Sequence, residues 1–322
     1  MSQPDATEKM IVKGLNVIYS TKQGNFRAVE NVSFEIPRGQ SIGIVGESGS
    51  GKSTLGLSIL RSLPDNGFTE SGTILLENED ILSIPSKKFD EFYRWKKISM
   101  IFQGSMNSLD PVFNIENQMK EILKVHKAKD KDKGRDYNTI IKNAISSVGL
   151  DPGTVSKRFP HELSGGMKQR IVIANALLLE PSILIADEPT TALDVVTQFQ
   201  IISNLKKMKD SKNMKIIMIT HDLSIIKNLV DKVVIMYAGQ AVEISDTNTI
   251  FSKPLHPYTQ ALIKSIPKIN SKDNKIQFIK GDPPDIRNIN QGCRFKDRCS
   301  KVMEVCNNEP PDISIDGNQV KC

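Results

Sequence analysis

The segment GESGSGKS, Gly46 to Ser53, leaves this chain few folds to choose from. It matches G-x-x-x-x-G-K-[ST], follows the apolar run SIGIV (41–45) and precedes the helix-compatible TLGLSILRSL. Strand, loop and helix are therefore predicted in succession. Glycines at 46, 49 and 51 let the backbone turn tightly enough for successive N–H groups to face phosphate oxygens. Lys52 then brings a point charge to the β- and γ-phosphates, and Ser53 a hydroxyl to Mg²⁺.

Two further apolar runs end in polar residues. SILIADE (182–188) delivers Asp187 and Glu188 at the C-terminal end of a predicted strand, where open α/β sheets bind ligands. Asp187 suits the Mg²⁺ shell, usually through water, and Glu188 suits polarising a water that attacks the γ-phosphate. KIIMIT (215–220) ends in His221-Asp222, which places the imidazole after a strand as the carboxylates are placed.

Composition narrows the class. The 322 residues suit one large domain or two smaller ones, and 39% hydrophobic with 25% charged residues is ordinary for a soluble globular protein. The N-terminus MSQPDATEKMIVKG lacks the apolar core of a signal peptide. The run IVIANALLL (171–179) is far shorter than the ~20 residues that span a bilayer, so a cytosolic chain is expected. The net charge of +6 does not point to nucleic acid. Its densest cluster, KVHKAKDKDKGRD (124–136), interleaves Lys with Asp and reads as a solvated surface.

All four cysteines, Cys293, Cys299, Cys306 and Cys322, fall in the last thirty positions with spacing C-x₅-C-x₆-C-x₁₅-C. A reducing cytosol disfavours two disulfides. Four thiolates satisfy a tetrahedral zinc or a [4Fe–4S] cluster, and the absent C-x₂-C pairing weakens zinc on spacing alone.

LSGGMKQR (163–170) opens a further predicted helix. Together with Gly46–Ser53, Gln103 in MIFQ, Asp187-Glu188, TTALD (190–194) and His221, it makes the chain resemble the ABC-type ATPases. Six motifs stand in the family's order over roughly residues 10–245. The resemblance implies a P-loop NTPase of α/β class: a mostly parallel core sheet, an antiparallel β lobe, a helical subdomain at about 104–163 and a small cysteine-rich appendage at 246–322. It implies that ATP is held by Gly46, Glu47, Ser48, Gly49, Ser50, Gly51, Lys52, Ser53 and Thr54, with Tyr19 stacked on adenine. Mg²⁺ is expected at Ser53, Gln103 and Asp187, with Glu188, His221 and Gln103 catalytic. Ser164, Gly165 and Gly166 are expected to contact the γ-phosphate of a second subunit's ATP, and Asp194 that subunit's phosphate loop. Trp95 and His126 match no motif and read as packing and surface residues.

Within that family the chain is similar to the oligopeptide and dipeptide importers, on Ser108-Leu109-Asp110-Pro111-Val112, on Pro254, His256, Pro257 and Tyr258, and on KGDPPDI leading to Cys293. Gly104-Ser105 stands where many relatives carry Asp-Pro. This branch implies an ATP-hydrolysing subunit on the cytoplasmic face of the membrane. Its expected partners are a second, related ATPase, two permease subunits and an extracellular substrate-binding protein, with no nucleic acid. Nickel or oligosaccharide cargo is the alternative to peptides, and a nucleic-acid-associated ATPase the more distant one. Tails similar to this one carry an iron–sulfur cluster in some members, which implies Cys293, Cys299, Cys306 and Cys322 as its ligands, with Zn²⁺ as the alternative. Arg294, Lys296, Arg298 and Lys301 are then expected either to offset the cluster's charge or to sit on a solvated loop.

Overall fold

The computed structural model describes residues 9–127, 136–191, 193–266 and 279–322. Most of the charge cluster 124–136 and Ala192 of the TTALD motif lie outside them. In chain order the described strands are β1 (Met10–Thr21), β2 (Gly24–Ile36), β3 (Ile42–Val45), β4 (Gly67–Leu76), β5 (Glu79–Asp80) and β6 (Ile98–Ile101). They continue with β7 (Ile183–Asp187), β8 (Lys215–Thr220), β9 (Lys232–Tyr237), β10 (Gln240–Asp246), β11 (Asp312–Ile315) and β12 (Asn318–Lys321). Contacts divide the chain into two compact units, one of Ile84–Ile217 and one of Glu8–Ser83 with Met218–Cys322.

The second of these units carries the expected antiparallel lobe, a sheet of order β2-β1-β4-β5. Met10, Val12, Leu15 and Val17 of β1 are buried while Lys13 is exposed, a mostly alternating face that fixes which side meets the core. Its other strands run β11-β12-β10-β9-β3-β8. β3 pairs in parallel with β9, and all four of its residues are buried. A strand covered on both faces reads as one apolar run, as SIGIV does. β10 turns back antiparallel on β9, and the terminal hairpin β11–β12 adds to β10 through Glu243 opposite Val320. The tail expected as an appendage is thus stitched into this unit by backbone pairing.

In the unit Ile84–Ile217, β6 and β7 pair in parallel and both are fully buried. The helices expected between 104 and 163 are present at Ile115–Lys127, Tyr137–Ser147 and Pro152–Val155. Ile115, Met119 and Leu123 recur every fourth residue and are completely buried, the signature of one apolar helix face. Asp136 and Asp151 cap the second and third helices by accepting the N–H of Asn138 and Thr154. The rings of Trp95 and His126 lie 5.5 Å apart, tilted by 35°, so the half-buried His126 is a packing residue. Among the described residues no helix is long and apolar enough to cross a membrane.

Candidate nucleotide site

β3 feeds the phosphate loop and the helix Lys52–Ile59 follows it. Only glycine fits at 46, because a Cβ there would lie 2.1 Å from the carbonyl oxygen of Met236 on the neighbouring strand. The loop closes on itself: Ser50 donates its N–H to Glu47 O at 3.2 Å, and Lys52 Nζ donates to the same carbonyl at 2.7 Å. Lys52 is almost wholly buried, its amine curled over the loop, while Ser48 and Gly49 are exposed at the tip. Tyr19 reaches this region from β1, with its hydroxyl 3.4 Å from Thr54 Oγ1 and its ring 5.7 Å from Phe26. His221 stands exposed just past the end of β8 in the same unit.

The unit Ile84–Ile217 carries the two carboxylates. Asp187 ends β7 and is buried. Glu188 follows with φ +46, a left-handed conformation uncommon for a side-chain-bearing residue. Such strain persists where the surroundings over-determine it. Here Thr191 donates its N–H to Glu188 O at 3.2 Å and its hydroxyl to Glu188 Oε2 at 3.0 Å, while Gln103 Nε2 donates to the same Oε2 at 3.0 Å. Gln103 and Glu188, 85 positions apart in sequence, are therefore held as one pair. Gly104 adopts φ +68 directly after Gln103, a left-handed backbone state that glycine enters without a Cβ penalty.

Ser164 caps the helix Gly165–Ala176 by accepting the Met167 N–H at 3.3 Å, which leaves the exposed N-terminal turn of Ser164 and Gly165 facing outward. Asp194 caps the helix Val195–Lys212. It accepts the Thr197 hydroxyl at 2.7 Å and the Thr197 N–H at 2.9 Å, bonds that hold its carboxyl below the usual range.

The tail departs from expectation in one respect. Arg294 and Arg298 are buried and paired, not spread on a solvated loop: Arg294 with Glu30 and the Ala238 carbonyl, Arg298 with Glu47 of the phosphate loop at 2.6 and 2.9 Å. Neither carboxylate partner carried a sequence signal, because the pairs span 264 and 251 positions. The four cysteines are free thiols. Burial raises the Cys293 thiol, and Cys293 donates its N–H to the Cys306 carbonyl at 2.9 Å. Among the described residues no group of three or more His, Cys, Asp or Glu is arranged to hold a metal ion.

A phosphate loop after β3 and a glutamine-bound carboxylate after β7 define a P-loop nucleotide-binding fold. The ABC transporter family model matches residues 29–191, and that of the oligopeptide/dipeptide transporter C-terminal region matches residues 242–306. The oligopeptide transport ATP-binding protein OppD of Salmonella typhimurium is 40% identical over 300 residues, 93% of this chain and 88% of its own length. The dipeptide transport ATP-binding protein DppD of Bacillus subtilis is 41% identical over 320 residues, 98% of this chain and 94% of its own. Among solved structures, a dimeric ATP-binding cassette in a post-hydrolysis state with ADP and Pi aligns with a TM-score of 0.64 at 25% identity, covering 74% of this chain and 98% of that one. The cbiO1 subunit of Clostridium perfringens aligns with a TM-score of 0.64 at 27% identity, covering 77% and 92%. The chain belongs to the ABC transporter family and carries the C-terminal region of its oligopeptide/dipeptide transporters.

Proposed function

We propose that this chain is the ATP-hydrolysing subunit of an importer of oligopeptides or dipeptides, working on the cytoplasmic face of the membrane. The observation that carries the reading is the Gln103–Glu188 pair at the end of β7, in a chain whose other unit holds a complete phosphate loop. Gly46–Thr54 and Lys52 bind the triphosphate, and Tyr19 flanks the base. Ser53, Gln103 and Asp187 are oxygen donors, the chemistry Mg²⁺ takes, and they are the residues that would hold it. When bound, Mg²⁺ neutralises charge that builds on the β- and γ-oxygens. Glu188 accepts the proton of the attacking water, Gln103 and Thr191 keep its Oε2 in place, and His221 is assigned to the same chemistry.

Ser164, Gly165 and Gly166 have no phosphate to serve in a chain that already has its own loop. Their exposed helix N-terminus suits the ATP of a second ATPase subunit, with Asp194 beside that subunit's loop. Two permease subunits and an extracellular binding protein complete the assembly. Residues 1–245 form the ATPase domain and 246–322 the extension. The relatives named for oligopeptide and dipeptide transport favour peptides over nickel or oligosaccharides. Uptake of labelled peptides of two and four residues, in cells whose only copy carries Lys52→Ala, tests this. Lost peptide uptake is the expected result, and retained peptide uptake with lost nickel or oligosaccharide uptake contradicts it.

Cys293, Cys299, Cys306 and Cys322 are proposed to hold an iron–sulfur cluster. Four thiols in one short segment are the donor set such a cluster takes, and the Cys293 N–H donated to the Cys306 carbonyl at 2.9 Å brings two of those residues together. Anaerobically purified protein is expected to contain iron and sulfide near four each per chain. One zinc per chain selects zinc instead, and metal-free thiols reject both.

A further inference from the structure

We propose that Arg298 of the cysteine-rich tail is a positioning residue for the phosphate loop, acting through the Glu47 carboxylate. The inference rests on the reading that Gly46–Thr54 hold the triphosphate, and it goes beyond that reading by making the tail part of the nucleotide site.

Glu47 is the second residue of the loop, an anion built into an anion-binding turn. Left unpaired, its carboxylate would repel a triphosphate across a short distance. Arg298 meets it with both terminal nitrogens, Nη1 to Oε2 at 2.6 Å and Nη2 to Oε1 at 2.9 Å, the fork-to-fork geometry that only arginine offers. Its side chain is 6% exposed and that of Glu47 25%, so the guanidinium end of the pair is shielded from solvent. The rest of Glu47 is fixed as well. Its N–H donates to the Tyr258 hydroxyl at 2.9 Å, and its carbonyl receives Lys52 Nζ at 2.7 Å. One loop residue is thus held from three directions, two of them by the chain beyond residue 250, and the carbonyl that orients Lys52 belongs to it.

Arg298 is itself fixed by its surroundings. Its Nε donates to the Lys280 carbonyl at 3.0 Å, and Nη1 also donates to the Tyr237 hydroxyl at 3.2 Å. The guanidinium lies over the rings of Tyr237 and Phe295, which pack edge-on at 5.2 Å against each other. It ends the short turn Lys296–Arg298, and the next residue, Cys299, donates its N–H back to Lys296 O at 3.2 Å. The cysteine-bearing turn therefore sets where the guanidinium sits, and the guanidinium sets the charge and geometry of the loop.

MgATP titration of the full chain, with turnover measured in parallel, tests this. Arg298→Ala is expected to weaken MgATP binding about tenfold or more, because it exposes the nucleotide to an unpaired carboxylate. Turnover at saturating ATP is expected to stay within about threefold, since no reacting atom is touched. The discriminating variant is Glu47→Gln combined with Arg298→Ala, which removes the repelling charge and is expected to return affinity to within about threefold of wild type. A pair that served only folding predicts no such rescue. If Arg298→Ala does not fold, Arg298→Gln carries the same two expectations. Affinity within twofold of wild type in the arginine variant, or a loss that Glu47→Gln does not rescue, overturns the inference. Lys52→Ala separates the layers: if it weakens binding while Arg298→Ala does not, only this inference fails, and if it leaves binding intact the phosphate-loop reading fails with it.

Discussion

Acid should loosen the unit that carries the phosphate loop through a single imidazole. His256 is 1% exposed and caps the helix Pro257–Lys264, its Nδ1 accepting the Tyr258 N–H at 3.0 Å. That bond needs a free lone pair on the ring. Phe295 packs against the imidazole at 5.9 Å, and the buried Glu243 carboxylate is occupied by the backbone N–H groups of Leu255 and His256 at 2.8 and 2.9 Å. Burial pushes the imidazole down from 6.5 to about 4. A group whose folded pKa is depressed costs nothing above 6.5, and it draws the chain toward unfolding as pH falls from 6.5 to 4. At pH 5 the unfolded ring is almost fully protonated and the folded ring mostly neutral, a factor of about 30 or roughly 2 kcal/mol relative to pH 7. Asparagine keeps an accepting oxygen at a cap position and removes the titration. Urea unfolding of wild type and His256→Asn at pH 7 and pH 5 should therefore show wild type losing about 2 kcal/mol more than the variant. Equal losses in the two proteins would refute the buried neutral imidazole.

Gly46→Ala should leave the protein folded but weaken MgATP binding at least tenfold, roughly the cost of a misplaced loop, because its Cβ meets backbone 2.1 Å away that cannot rotate aside; nucleotide titration reads it. Ser164→Arg should abolish turnover while ATP still binds the isolated chain if, as proposed, Ser164 serves another subunit's nucleotide; an active variant, or a wild-type rate independent of protein concentration, counts against the dimer. Ile44→Ala, at a fully buried position of the strand that feeds the loop, should cost about 2–5 kcal/mol in urea unfolding.

The parts of the site legible in sequence were those whose meaning is local. SIGIV with its glycine-rich loop, and SILIA ending in two carboxylates, became β3 and β7 almost to the residue, because burial on both faces leaves an uninterrupted apolar run. The same holds for helix faces spaced by four, such as Ile115, Met119 and Leu123. What escaped was pairing at long range. Nothing near Glu47 announces Arg298: the tail's lysines and arginines read as a cluster's counter-charge or a solvated loop, and only the aromatic rings of β9 and the helix Pro257–Lys264 beside them show otherwise. The hairpin β11–β12 was equally silent: residues 312–321 alternate weakly, with β11 exposed throughout and Val320 alone buried in β12. The left-handed turn at Gly104, directly behind Gln103, was likewise not legible, since no residue pattern around it announces φ +68.

Glu188, held strained just past β7 by Gln103 and Thr191, is proposed as the group that activates the water that cleaves ATP. Steady-state ATP turnover of Glu188→Gln, measured beside its MgATP affinity, tests it most directly. Glutamine keeps the shape and removes the base, so turnover should fall by about two to four orders of magnitude while affinity stays at the wild-type value. Turnover near the wild-type rate with affinity unchanged would contradict it.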